Sequence, residues 1–324
     1  MKAYGLTMKG GYTLVEIMIA LTLGAILLAG SLEIYSSSRA SWADQRLGAV
    51  IVENGRVTSQ VIRSSFTRAG YYGCVPNRDK LYLDKTVGSA LYPYFYIEPA
   101  DAGDGLGLVR DATSDIATVY DADNDSMVYL TSSHTLNGGS AASRRITLDT
   151  APNFSAGDIV VISDCVTATA LKVESVDETV VTYSPTNCGS GLAGCSYDEN
   201  ASIMKLNIRR FYVAENGRGE ESLYIALFAG SGGLETELVE GVSNVTIYVG
   251  LDADTIEAGG SSPGSDGSID RYVRPSSGET WSEAVEDWSD TLAIRIDYTI
   301  SSQGQETLAS NFSTVAMVRN FRMN

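Results

Sequence analysis

The chain of 324 residues contains a single histidine, His134. Zinc centres that recruit two or more imidazoles cannot be assembled within it, and a hydrolytic triad would depend on that one ring. Ser132-Ser133-His134 supplies no nucleophile and base pair, because neighbours on a strand point to opposite faces and nothing nearby activates a serine; His134 reads as an exposed turn residue. Basic residues are few: 23 Lys and Arg stand against 40 Asp and Glu, giving a formal net charge of -17 and a pI near 4.4. That balance opposes an extended phosphate-binding surface, so no direct nucleic-acid partner is expected. There are four cysteines, Cys74, Cys165, Cys188 and Cys195, and no Cys-x-x-Cys pair of the zinc-ribbon or thioredoxin type. Charged residues are missing from Ile17 to Leu32, and proline is missing before Pro76.

What is present begins with polarity at the amino terminus. Residues 1–11 carry Lys2 and Lys9 and no acid, and an apolar run follows. With residues 12–15 that run reaches the ~20 residues needed to cross a hydrocarbon core. Positive charge ahead of it predicts a cytoplasmic leader and an exported remainder. An ordinary secretory signal shares this general form, yet two features depart from it. Gly10-Gly11 precedes the apolar run instead of following it, and Glu16 interrupts the run. A carboxylate at the centre of a membrane span costs about 2.5–3.5 kcal/mol on insertion scales, so it calls for a partner.

Gly11-Tyr12-Thr13-Leu14-Val15-Glu16 resembles the class III signal of type IV prepilins and type II secretion pseudopilins. The resemblance implies cleavage between Gly11 and Tyr12 by a prepilin peptidase, N-methylation of Tyr12, and an assembly ion pair between Glu16 and the amino terminus of a neighbouring subunit. Beyond the membrane, Leu47, Val50, Ile51, Asn54, Val57, Thr58, Val61, Ile62 and Phe66 recur at three- and four-residue intervals, opposite Asp44, Arg46, Glu53, Arg56 and Arg63. This is the pattern of an amphipathic helix lying on a core, and it predicts one helix from Tyr12 to about Arg68, on the order of 85 Å at 1.5 Å per residue.

After Gly70 short β-rich runs alternate with Gly, Ser, Asp and Asn. They predict strands at 159–163, 170–176, 179–183, 204–213, 223–228, 245–251, 292–300 and 312–318, with hairpins marked by Asn216-Gly217 and Gln303-Gly304. Residues 252–280, which include Gly259-Gly260-Ser261-Ser262-Pro263-Gly264, read as a long surface loop. The expected fold class is α+β: a long N-terminal helix, transmembrane then amphipathic, packed on a large antiparallel β domain. The expected divisions are a leader at 1–11, an assembly helix at 12–32, an amphipathic helix at 33–69, and a periplasmic domain at 70–324. An even cysteine count in an exported domain reads as two disulfides, whose connectivity sequence alone leaves open. Cys188 and Cys195 flank a turn-rich segment at 189–194, so a local bridge is the first expectation, and Cys74 would then pair with Cys165.

Further residues resemble the PilW family of minor pilins: Glu53-Asn54-Gly55-Arg56, Ala69-Gly70-Tyr71-Tyr72-Gly73-Cys74, Gly157-Asp158-Ile159 leading to Ser163-Asp164-Cys165, Tyr248-Val249-Gly250-Leu251-Asp252, Asp270-Arg271-Tyr272, Trp288-Ser289 and Val318-Arg319-Asn320. The resemblance implies a non-enzymatic subunit in the inner membrane and then at the pilus tip. Its partners would be other minor pilins, the major pilin, the prepilin peptidase, the inner-membrane assembly platform and a tip adhesin. A J-type pseudopilin of type II secretion, a competence pilus component and a signal-anchored periplasmic enzyme are the alternatives. No cofactor is expected. Asp121, Asp123 and Asp125 resemble the start of a calcium loop, but Ser126 and Ser132 stand where an EF-hand has glycine and glutamate, so a solvated acidic turn fits better. Asp252, Asp254 and Glu257 form a second acidic cluster of the same kind. Tyr92, Tyr94, Phe95 and Tyr96 fit either an adhesive patch or packing of the β domain against the helix.

Overall fold

The computed structural model describes residues 12–74, 81–83, 95–98, 111–186, 195–229, 232–252, 268–274, 291–302 and 308–318. The chain divides into two compact units, Met1–Val50 and Ile51–Asn324. The helix α1 runs from Leu14 to Arg68. It starts where Thr13 becomes its N-cap, the Thr13 hydroxyl accepting from the Glu16 amide at 3.2 Å, so two residues at the expected start stay outside. Thr13-x-x-Glu16 is the spacing of a capping box. The helix stops at Gly70, whose φ of 74° suits a residue with no Cβ.

In the first unit α1 has Glu16 as its one charged residue from Leu14 to Leu32, is long and apolar enough there to cross a membrane with none of its most apolar stretch buried, and then carries Glu33, Arg39, Asp44 and Arg46. In the second unit the same helix has a buried stripe of Ile51, Gly55, Thr58, Ile62, Ser65 and Phe66. This stripe is narrower and made of smaller residues than the sequence pattern suggests, since Val50 and Val57 are exposed.

The strands in chain order are β1 (Leu81–Leu83), β2 (Phe95–Glu98), β3 (Ile116–Ala122), β4 (Val128–Tyr129), β5 (His134–Thr135) and β6 (Arg145–Thr147). Next come β7 (Ile159–Ser163), β8 (Ala168–Asp177), β9 (Val180–Tyr183), β10 (Ser196–Tyr197), β11 (Ser202–Glu215) and β12 (Glu221–Ala229). The last are β13 (Gly232–Glu240), β14 (Val242–Leu251), β15 (Arg271–Val273), β16 (Thr291–Ser301) and β17 (Ala309–Met317). The large sheet has the path β13-β12-β11-β7-β8-β9-β6, with β1, β2, β3 and β4 joined at its branches, and a second sheet has the order β15-β14-β16-β17. Among the described residues all strand pairings are antiparallel except β1 with β8.

Strand β11 is the spine. Its first residues, Ser202 to Lys205, pair with β7, and its later residues pair with β12 on one side and β3 on the other. The main core lies where Ile51, Ile62 and Phe66 of α1, and Ala69 just after it, meet Val119, Phe211 and Leu223 of the large sheet and Ile247, Ile294, Ile296 and Tyr298 of the second sheet. A separate core under β4 to β9 gathers Leu130, Ile146, Ile162, Leu171, Val181 and Tyr183.

Three departures from the sequence reading have physical causes. Strand β3 is buried on both faces and so lacks the alternation that marks a strand. Strand β13 carries Glu235, Glu237 and Glu240, which give it the composition of a loop. Within 252–280, Arg271–Val273 is a strand paired with β14, and Asp252 is buried, so these parts are not surface loop; residues 253–267 and 275–280 lie outside the described residues. The Asn216-Gly217 hairpin is present, but as a five-residue connection. Asn216 Oδ1 accepts from the amides of Arg218 and Glu220, and the positive φ falls on Gly219.

Candidate assembly helix and the clamp at its end

The helix carries two candidate functional features, one at each end. At the start, Glu16 occupies the third helical position, one turn from Tyr12, and its side chain is exposed together with those of Leu14, Val15 and Ile17. A carboxylate there complements the positive end of the helix dipole. Gly11 lies outside the described residues; Tyr12 is exposed.

The far end is held by a seam and a clamp. Along the seam, a Cβ on Gly55 would collide with the Phe312 ring, so glycine lets α1 approach β17 closely. The Tyr298 hydroxyl donates to the Gly55 carbonyl at 3.0 Å and lies 2.7 Å from Ser59 Oγ, which is also 2.7 Å from Thr314 Oγ1. Tyr298 and Phe312 stack with ring centroids 5.6 Å apart. On the other flank Phe66 meets Phe95 edge-on at 5.9 Å, so the one described side chain of the aromatic run at 92–96 packs in the core; Tyr92 and Tyr94 lie outside the described residues.

The clamp follows immediately. The Gly70 amide donates to the Tyr120 carbonyl at 2.8 Å, and the Ala122 amide donates to the Tyr71 carbonyl at 2.6 Å, so the helix exit is stitched to β3. Tyr72 is buried against Tyr120, Val161, Ala168, Ala170 and Met204. Gly73 has φ 85° and room for a Cβ only 2.9 Å from Met204 Cε. Cys74 is joined by a disulfide to Cys165 at the tip of the β7–β8 hairpin. That tip is shaped by Asp164, whose Oδ1 accepts from the amides of Val166 and Thr167 at 3.0 and 2.8 Å, and it places Cys165 at φ 68°. Cys195 is also disulfide-bonded, and Cys188 lies outside the described residues.

The remaining sequence candidates are not brought together. Asp121 is no turn residue: it is buried on β3 and ion-paired with Arg209 of β11. Burial pushes its carboxyl above the usual range, opposed by Arg209 and Arg68. Asp123 caps a short 3-10 turn by accepting from the Asp125 amide at 3.1 Å. Among the described residues no group of three or more His, Cys, Asp or Glu side chains could hold a metal ion. His134 is a half-buried strand residue and not an exposed turn, because its Nε2 lies 3.0 Å from the Tyr183 hydroxyl and the two rings meet edge-on. Burial lowers its pKa. Asp254 and Glu257 lie outside the described residues.

Sequence reasoning missed the contact made by Gly55, although Glu53-Asn54-Gly55-Arg56 carried the signal: a glycine on the inward face of an amphipathic helix marks close approach. It also missed the stack in which the Arg295 guanidinium lies 4.2 Å from the Tyr248 ring and 4.7 Å from the Tyr272 ring. Gly250 makes that stack possible, since a Cβ there would sit 3.0 Å from Tyr272 Cε1.

Two family models match the chain. Residues 6–32 match the prokaryotic N-terminal methylation motif, and residues 210–320 match the type IV pilus-assembly protein W family, PilW. No curated protein and no solved structure matches it. The first match spans Gly11, Tyr12 and Glu16, and the second runs from β11 through β17, the strands that receive the far end of α1. With a long apolar helix leading into an antiparallel β domain, these matches support a type IV pilin of the PilW family.

Proposed function

We propose that this minor pilin helps to prime pilus assembly in the inner membrane and then sits in the tip complex, with its β domain in the periplasm and afterwards at the cell surface. Prepilin peptidase cuts between Gly11 and Tyr12 and the new amino terminus is methylated. The observation that carries the reading is Glu16, the one ionisable residue in the apolar stretch of helix from Leu14 to Leu32. Such a helix is satisfied by lipid or by other helices, and its carboxylate is satisfied by an ammonium group brought by a neighbour. Both needs are met when pilin helices pack side by side. The protein's work is then packing and one ion pair, without catalysis. Other minor pilins, the major pilin and the assembly platform are the partners this requires, and a tip adhesin would sit on the β domain.

The experiment is deletion of the gene followed by counting surface pili, with complementation by the native chain or by Glu16→Ala. Few or no pili in the deletion strain, rescue by the native chain and failure of Glu16→Ala are expected. Normal piliation in the deletion strain sinks the priming role. Co-purification with secretion components in place of pilus components would assign the chain to the pseudopilin branch.

A further inference from the structure

The two sheets end in edges that are treated in opposite ways. The outer edge of the large sheet, β13, carries Glu235, Glu237 and Glu240, and its ladder with β12 is broken by a register shift at Leu223 and Tyr224. Charge and irregularity are the usual means of keeping an edge from pairing with another chain. The edge of the second sheet, β17, has neither. Its sequence ASNFSTVAM holds no charged residue and no proline, and all nine of its residues pair with β16 in unbroken register. Among the described residues no strand pairs with its other side.

Exposed apolar side chains flank β17, beside a polar strip in which Ser313 Oγ donates to Asp297 and Thr299 Oγ1 donates to Asn311. Leu308, Val315 and Met317 are 43%, 36% and 48% exposed. On the helix side, Val52 is 63% exposed and lies at 100° per residue on the same flank as Ser59, which touches Thr314 of β17. An edge whose backbone groups no described strand pairs with, and which has some exposed apolar side chains on both faces, is suited to strand addition.

We propose that the free edge of β17 is a β-augmentation site that receives an extended strand from a different pilus subunit. The inference rests on the pilin reading of the chain. A second copy is the wrong occupant for two reasons. The full chain has a formal charge of -17 and cleavage after Gly11 also removes Lys2 and Lys9, so like copies repel. In addition, α1 advances along β17 in the same direction, with Gly55 against Phe312 and Ser59 near Thr314. An antiparallel β17–β17 pair would set the 51–68 helices of the two copies in opposite directions, which subunits drawn from one membrane do not share. The incoming strand is neutral or basic, with side chains that cover Val52 on one face and Val315 and Met317 on the other.

The test places the photo-cross-linker p-benzoylphenylalanine at Ser313 of β17 or at Thr236 of β13 in the full chain, in the native cells. Irradiation at 313 is expected to give an adduct with another pilus subunit, identified by mass spectrometry, at least about tenfold above the yield at 236. Adding Val315→Lys, which touches an exposed side chain, is expected to lower that adduct about fivefold or more while the Cys74–Cys165 bridge still forms on non-reducing gels. Equal labelling at both edges, no adduct at 313, an adduct made only of a second copy, or indifference to Val315→Lys would each overturn the proposal. Cross-linking is read without counting pili, so its failure is separable from failure of the priming role.

Discussion

The two halves of α1 are one continuous helix built on opposite rules. From Leu14 to Leu32 large apolar residues face every direction and stay exposed, as with Ile26 at 67%. From Ile51 to Arg68 the buried positions include Gly55, Thr58 and Ser65, and the large side chains are confined to one stripe. The first half is made for an environment that is apolar all round, where side-chain size matters more than direction. The second half is made for a fixed partner surface, where small residues set how near the helix can come. Hydropathy alone therefore misplaces the structural weight of this helix. The least apolar half contributes most to the stability of the folded domain.

That comparison can be broken at several points, each read by thermal unfolding of the detergent-solubilised full chain. The largest effect is expected from Cys74→Ser with Cys165→Ser. The bridge closes a separation of 91 residues, and its loss is expected to cost about 4–5 kcal/mol in the loop-entropy account. Next, Ile62→Ala should cost about 2–5 kcal/mol, because its side chain lies in the main core, whereas Ile26→Ala should stay within ~0.5 kcal/mol. Equal losses at 62 and 26 would erase the distinction between the halves. Gly55→Val should cost about 1–3 kcal/mol by forcing the helix away from Phe312, and a stabilised Gly55→Val chain would show that the seam is loose.

The smallest effect lies outside the helix, at His134. Its folded pKa is held below 6.5 by burial, so both states are neutral at higher pH. As pH falls below 6.5 the unfolded chain takes the proton first, and stability is lost until the folded pKa is passed. Between pH 7.5 and pH 5 the native chain should therefore lose slightly more Tm than His134→Gln. A larger loss in the variant would contradict the sign.

Much of this was legible in the residues themselves. The apolar run with Glu16, the helix to Arg68, the eight principal strand runs and the cysteine count all follow from local composition and period. What was not legible depends on who the neighbour is. Asp121 looks like a solvent carboxylate until Arg209, 88 residues away, is seen beside it. Strand β13 looks like a loop until its glutamates are found facing Asn216 and Ser222, with Glu237 Oε1 accepting from the Ser222 hydroxyl at 2.8 Å. His134 looks exposed until Tyr183 covers it. Gly55 shows the same limit from the other side, since periodicity scores large apolar residues and gives no weight to a residue whose role is to be absent.

The clamp after Arg68 has a mechanical consequence. A pull on the amino-terminal end of α1 loads the packing of Ile51 and then the seam, where Ser59, Tyr298, Thr314 and the Gly55 carbonyl share a few hydrogen bonds that can yield in turn. Peeling can then advance only to the helix exit, because Cys74 ties that point covalently to Cys165 on the β7–β8 hairpin. The hairpin belongs to the sheet through β7, which is hydrogen-bonded to β11 as well as β8, so the load passes into the spine of the large sheet. The domain thus has a compliant attachment to its helix backed by a covalent stop, and tension on the helix would stretch the seam before it could detach the domain.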